Sequence, residues 1–505
     1  MMNSFRIFRH GLAGLLVALA SAGAVERVDV DHAYVERLAA KLAHSAYHAK
    51  SNQTPRFFRE MNYDQYRHIT FREGMTLWRD DGLPFQLQFY HPGYLFTQTV
   101  RINECSDTHA QPIPFNTALF DYHDLSIPMF SRWGLEFAGF RAMYPLNAAD
   151  KWDEVISFLG ASYYRALGRG QVYGASARGL AINAGGPAAE EFPAFVEYWI
   201  RKPVAGDKTL TVHALLDGPS VAGAYTFVVA PGVETTIDTH ATLYFRQVGG
   251  TLGFAPVSSM FWFGENSAER FGDFRPEVHD SDGLLVAPGG DQRIWHPLTN
   301  PSGLIRTDVD APALVGFGLL QRDQDYRDYQ DLESRYERRP AIWTEPIGSW
   351  PPGRVRLVEM AAHDEYHDNI TAFWTPRDPP PTEEKYELAW KQHWTSRPTF
   401  GGPPGWVTAT RQTVRDGGAG RTKYVIDFDT HALAAVKSDT KLEPDVSVTG
   451  GAKVLHAQLF LNDDGTRRLV VQLQAPPGSA PVDIRASLRH ENQTITETWA
   501  NRWQP

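Results

Sequence analysis

Apolar residues along this chain fall in short runs punctuated by Gly, Pro and polar pairs, a pattern that predicts strands rather than helices over most of its length. The aromatic-rich run 84–90 stops at Pro92-Gly93, and the runs 209–215 and 225–230 alternate or stay apolar between turn residues. Half-buried and fully buried strands leave those two signatures. Two stretches carry a helical period instead. Val35, Leu38, Leu42 and Ala46 recur on one face, with charged residues opposite. Trp152, Val155, Phe158, Leu159 and Tyr163 repeat similarly within 151–169, where Asp150 is placed as a cap and Gly160 as a weak point. A helix, or a broken pair of helical turns, is expected there. Many short strands with frequent turns otherwise imply an all-β, antiparallel sandwich.

Proline and glycine divide the chain near residue 400. Arg377-Asp378-Pro379-Pro380-Pro381 makes one stiff loop and the Gly/Pro-rich segment 399–405 another, with 386–394 between them reading as a last strand of the first unit. Beyond lie strand signals at 423–428, 454–461, 468–473 and 482–488. Strands at that spacing read as a small immunoglobulin-like sandwich, without the cysteine pair of antibody domains. A chain of 505 residues also exceeds a typical single core. The expected organisation is a signal peptide over 1–24, a large β-sandwich over 25–396 and an immunoglobulin-like domain over 397–505.

The N-terminus sets the expected compartment. Arg6, Arg9 and His10 precede an apolar run from Gly11 to Ala20 and a small-residue pattern, Ala22-Gly23-Ala24. This predicts secretory export with cleavage near Ala24, hence a periplasmic protein that does not span the membrane when mature. The signal segment carries no twin-arginine pair. The single cysteine, Cys105, forms no internal disulfide, so a large core must supply stability; Glu104 and Asp107 beside it disfavour a reactive thiolate. A formal charge of −10 argues against nucleic acid as a partner.

Chemistry concentrates in two acidic segments. The first, Phe274-Arg275-Pro276-Glu277-Val278-His279-Asp280-Ser281-Asp282-Gly283, gathers three carboxylates, an arginine and a histidine; the second is His363-Asp364-Glu365-Tyr366-His367-Asp368-Asn369. Separated carboxylates in a chain rich in Trp and Tyr point to carbohydrate chemistry, in which one carboxyl protonates a leaving oxygen and another activates water. Arg322, Asp323 and Tyr329 interleave donors and acceptors of the kind that bind sugar hydroxyls, and Trp262, beside Glu265, and Trp374 offer flat faces for pyranose rings. Structural ion pairs, turns and core packing use the same residues. No HExxH, GxSxG or GxGxxG pattern is present, so neither metal nor cofactor is expected.

Assembled in order, several stretches resemble the OpgG/OpgD (MdoG/MdoD) family of periplasmic glucan biosynthesis proteins. They include Pro114-Phe115-Asn116, Phe158-Leu159-Gly160-Ala161-Ser162-Tyr163-Tyr164-Arg165, Gly170-Gln171-Val172-Tyr173-Gly174, Ser259-Met260-Phe261-Trp262-Phe263-Gly264-Glu265-Asn266 and Gly316-Phe317-Gly318-Leu319-Leu320-Gln321-Arg322-Asp323. The resemblance covers nearly all of the mature chain. It implies a galactose-mutarotase-like β-sandwich joined to an immunoglobulin-like domain, acting on osmoregulated periplasmic glucans with a β-1,2-linked backbone. Inverting endo-β-1,2-glucanase or transglycosylase activity is implied, with a non-catalytic factor serving an inner-membrane glucan synthase as the alternative. The ordinary export signal favours the G type. By the same resemblance Asp368 is the general acid, with Glu365 as its acidic neighbour, and Asp280 is the general base, with Asp282 as fallback. Arg275 or His279 would keep that base ionised. Tyr366 and His367 depart from the family pattern.

Overall fold

The structure, a computed structural model, describes residues 29–50, 53–106, 109–267, 270–414, 416–430 and 441–505. The expected signal peptide, 1–24, lies outside them. Two large sheets form the body, as the strand pattern predicts. A ten-stranded sheet runs in the order Gln86–Tyr90, Gly139–Ala148, Lys151–Leu159, Tyr163–Ala166, Ser176–Arg178, Leu252–Ser259, Ile370–Pro376, Gly353–Glu359, Ile305–Ala311, with Leu180–Ile182 also pairing Leu252–Ser259. A fifteen-stranded sheet faces it, and aromatic side chains interlock between the two. Phe140 and Phe158 of the first meet Tyr198 and Phe227 of the second, with ring centroids 5.2 and 5.3 Å apart for Phe140–Tyr198 and Phe158–Phe227. Each such ring is essentially excluded from water and contributes about 1.5–3 kcal/mol by burial.

The first helical expectation matches a helix at His32–Ala43. Asp31 caps it by accepting from the Tyr34 amide at 2.7 Å, and Val35 and Ala39 pack beside Trp199 and Tyr244 of the long sheet. The second is corrected. Residues 151–169 hold two strands, Lys151–Leu159 and Tyr163–Ala166, paired as a hairpin through Ile156 with Ala166 and Phe158 with Tyr164. Gly160, Ala161 and Ser162 join them, with Gly160 and Ala161 at φ of 81° and 42°, in the left-handed region that tight turns use. Val155 to Phe158 are buried on both faces, so the two-residue alternation that would have announced a strand is hidden.

Strands beyond residue 400 match the sequence reading at Arg421–Asp429, Lys453–Leu461, Arg467–Gln474 and Val482–His490. The separation from the large body is only partial. Thr498–Trp503 pairs in parallel with Ile294–Pro297, so the long sheet runs through the boundary. One hydrophobic cluster combines Leu285, Trp295, Leu320 and Trp343 with Tyr424, Ile426, Leu469 and Trp499. The linker residue Phe400 stacks on Trp343 at 4.7 Å. A shared core of this kind ties the C-terminal strands firmly to the body.

Candidate active site

Period-two geometry on the ten-stranded sheet builds a cleft of about 550 Å³. In Tyr163–Ala166, Tyr164 points into the core and donates to Gln392 Oε1 at 2.6 Å, while Tyr163 and Arg165 line the cleft. Tyr90, Phe96, Phe192 and Asp368 complete its main walls. Arg178 is buried between the rings of Tyr163 and Phe192, at 5.4 and 5.6 Å, and pairs with Glu190 at 2.7 Å. Aromatic faces beside fixed polar groups are the lining that a sugar polymer needs.

Asp368 reaches the cleft from the segment that precedes the strand Ile370–Pro376. Asp364 shapes that segment by accepting from the Tyr366 amide at 2.9 Å and meeting His367 Nδ1 at 2.7 Å. Asn369 then anchors it, donating to the Phe261 and Met360 carbonyls at 3.0 and 2.9 Å and accepting from the Phe261 amide at 2.9 Å. The Asp368 carboxylate lies 3.9 Å from Arg165 and keeps 36% of its exposure, so solvent reaches it although protein surrounds most of it. That enclosure raises its proton affinity; Arg165 opposes the shift and the charge of Asp280 reinforces it, leaving the carboxyl above the usual range.

Asp280 stands behind this wall. It is 3% exposed and forms an ion pair with Arg339, whose guanidinium lies 4.0 Å from the Tyr336 ring centroid. Tyr336 donates to Glu365, which also accepts from Arg275 Nη1 at 2.6 Å. Arg275 in turn holds Asp273 and Asp331, each at 2.8 Å. A chain of contacts therefore runs from Asp280 to Glu365: the Asp280–Arg339 ion pair, the Arg339 cation over the Tyr336 ring, and the Tyr336 hydrogen bond to Glu365. Gly174 lets this happen: a Cβ there would come within 2.8 Å of the Arg339 side chain.

The family model described as "Periplasmic glucan biosynthesis protein, MdoG" matches residues 30–503. The chain belongs to the MdoG family. It is 41% identical over 504 residues to "Glucans biosynthesis protein G" of Ralstonia nicotianae, covering 97% of this chain and 98% of the relative. Identity is 39% to the proteins of that name from Sodalis glossinidius, covering 92% and 91%, and from Pseudomonas aeruginosa PAO1, covering 98% and 97%. The MdoG family is thus one of glucan biosynthesis in the periplasm, and no helix among the described residues is long and apolar enough to cross a membrane.

Within this MdoG-family fold the remaining sequence-nominated residues separate from the cleft. Glu277, His279, Asp282 and Asp323 bring their ligand-type atoms within 4.8 Å of one another, and they share with Glu265 a small pocket against Thr408 and Thr410 of the C-terminal strands. Asp282 accepts from the Arg322 amide and from the Asp323 amide, the latter at 3.0 Å; His279 Nε2 meets Glu277 at 2.9 Å. Burial lowers the His279 proton affinity, but Asp282 and Glu277 outweigh it and carry the ring to about 9. Burial lifts Glu265 to about 8 although Arg411 lies 2.9 Å away, because that arginine is half-exposed and offsets only part of the cost. Desolvation and the neighbouring Asp282 likewise raise Asp323. Protons and the imidazolium thus relieve the mutual repulsion of these acids.

Several expectations need correcting. Trp374 has no exposed surface and packs on Trp350 at 4.8 Å, so it offers no face to a ligand. Trp262 stacks on Phe271 at 5.2 Å, and Tyr329 is wholly buried beside His279. Arg322 makes a two-toothed ion pair with Glu497 at 2.9 and 3.0 Å, with its guanidinium 3.6 Å from the Trp295 ring centroid. It is a clamp between the large body and the C-terminal strands. Arg275 and Glu365 are partners of each other rather than of the Asp280 carboxylate. Sequence reasoning assigned no role to Arg165, Arg178 or Phe192, and it read Arg339 as part of a structural ion-pair network without naming Asp280 as its partner. The outward position of Arg165 beside inward Tyr164 was the one local signal available; the others come together only through sheet order.

Proposed function

We propose that this protein cleaves or transfers β-1,2-linked glucan with inversion of the anomeric centre, using Asp368 as general acid. The observation that carries this reading is a carboxyl of raised proton affinity, reachable from an aromatic-lined cleft, beside a second and enclosed carboxylate. Protonated Asp368 donates to the glycosidic oxygen as the C1–O bond breaks. Water attacks C1 from the opposite face, and its proton passes to Asp280. Direct activation of water in an inverting site needs carboxyls about 6.5–9.5 Å apart with room between them. Arg339 encloses Asp280, so a water or a substrate hydroxyl would carry the proton inward. Neither Asp280 nor Asp282, the fallback base, lines the cleft; Asp280 is the one whose charge acts on Asp368, whereas Asp282 is engaged by the Arg322 and Asp323 amides.

A second reading is favoured by the same enclosure of Asp280: a groove that binds and guides glucan for a membrane-bound synthase without breaking bonds. Linear β-1,2-glucan incubated with the purified protein separates the two. Shorter chains report hydrolysis, rings report transfer, and unchanged chains together with measurable binding report the guide. Asp368→Asn should abolish any change in product mass; unaltered turnover by that variant sinks the assignment of the acid. Sequencing the N-terminus of the secreted protein tests export and cleavage near Ala24.

A further inference from the structure

The cleft does not end at Asp368's neighbours. At Gln98, Gly160 and Ala161 it meets a second cavity of about 240 Å³. Its floor is Phe195 and Tyr198, both almost wholly buried, and its roof is formed by residues 47–50 in the irregular segment 45–50 that follows the N-terminal helix. That roof has little apolar surface of its own to bury. Side chains tether it instead: Arg246 Nε donates to the Ser45 carbonyl at 3.1 Å, and Lys50 Nζ donates to the Thr99 carbonyl at 3.2 Å and pairs with Glu136.

Protein interiors are close-packed, and a strap free to settle would collapse onto Phe195 and Tyr198. Here the tethers hold it off and preserve the space. The polar groups facing it suit a neutral polyol. His48 and Gln98 have no side-chain hydrogen-bond partner among the described residues, so their donors and acceptors are open to a ligand. The charges nearby are matched within the protein, Lys50 by Glu136 and Asp217 by Arg246 at 2.9 Å, which disfavours a strongly charged occupant. Tyr47 presents a ring to the cavity, backed by the Arg246 guanidinium at 5.9 Å, as a surface for a pyranose face.

We propose that the cavity beneath 45–50 is a remote glucosyl-binding site, which holds the part of a linear glucan that continues past the cleft through the Gln98 and Gly160 junction. It deepens the reading of the cleft as a glucan site and rests on it. Its consequence is a preference for chains long enough to occupy both spaces.

The test uses the full-length chain with Asp368→Asn to prevent turnover, and linear β-1,2-glucooligosaccharides of defined length measured by calorimetry. Affinity should keep rising with length beyond the point where the cleft is filled. Ala49→Trp, which fills the cavity from the exposed roof, should flatten that rise. It should cost tenfold or more for long chains and nothing for short ones, with an unchanged thermal midpoint. Tyr47→Ala should lose affinity for the same long chains only. Equal binding by parent and variants at every length would overturn the proposal, as would a loss shared equally by short and long chains. If the parent binds no oligosaccharide of any length, the glucan reading of the cleft falls and this extension with it.

Discussion

The position of Arg165 allows the electrostatics of the candidate acid to be tested by a shift with a defined sign. Arg165 is the principal group favouring the ionised form of Asp368, at 3.9 Å. Replacing it with Gln removes that cation, so the Asp368 proton should be held to higher pH. A general acid works only while protonated, and the alkaline limb of the kcat/KM profile should therefore move up. Two unit charges at this separation interact by about 1 kcal/mol at the dielectric of water and about 4 kcal/mol at an effective dielectric of 20. Both side chains are more than a third exposed, 46% and 36%, so the screened end applies. Exposed pairs contribute about 0.2–1 kcal/mol. At about 1.36 kcal/mol per pH unit, the limb should rise by roughly 0.15–0.7 units. Raising salt should move the wild-type limb the same way and the Arg165→Gln limb less, because screening removes the same interaction. A carboxyl ¹³C titration of Asp368 checks the shift independently of turnover. A limb that moves down, or stays still in both measurements, refutes the electrostatic account of the acid.

Three further outcomes are expected. Arg322→Met leaves Glu497 buried without its partner and should cost about 3–5 kcal/mol in denaturant unfolding, whereas adding Glu497→Gln should recover much of the loss. Asn369→Ala removes three hydrogen bonds at the end of the Asp368 segment; a loss of roughly 2–4 kcal/mol and a drop in kcat are expected, and an unchanged kcat would show that Asp368 is positioned by other groups. Glu265→Gln tests the acids beside the C-terminal strands through pH. Glu265 titrates at about 8 when folded against an ordinary 4.5, so between those values the folded state retains a proton that the unfolded chain releases, and stability falls as pH rises. The variant's thermal midpoint should match wild type near pH 4 and exceed it progressively to pH 9.

Strands were legible wherever one face met water or Gly and Pro marked the ends. The C-terminal strands fall where the runs 423–428 and 468–473 place them, and the helix His32–Ala43 where Val35 and Leu38 place it. The hairpin at 151–166 was not legible, since burial on both faces erased its alternation and left an accidental helical period. At the site, the acidic segment 363–369 stood out because it precedes an apolar strand, and only the family resemblance singled out Asp368 within it. The place of Arg339 was not legible. Its ion pair with Asp280 spans 59 residues of sequence and depends on the absence of a side chain at Gly174, which reads locally as a turn residue. Trp374 misled for the complementary reason: adjacency to Asp368 in sequence says nothing about which face of the strand a side chain takes, and this one faces the core.

Two carboxylates two residues apart show how one short link serves both the cleft and the contact with the C-terminal strands. The Asp280 amide donates to the Met260 carbonyl and its carboxylate turns to Arg339, towards the cleft wall. The Asp282 amide donates to the Leu320 carbonyl and its carboxylate takes the Arg322 and Asp323 amides, towards the C-terminal strands. Ser281 sits between them, fully buried, accepting from Ser259 Oγ at 2.8 Å. The link therefore cannot slide without breaking bonds on both sides. Damage to the clamp at Arg322 and Glu497 should consequently reach Asp280, even though neither residue lines the cleft. A conservative test is Asp282→Asn, which keeps an acceptor for the two amides and removes only the charge. If the interface is a support, glucan binding should survive while stability changes with pH; if Asp282 is itself the base, turnover should vanish and stability should scarcely move.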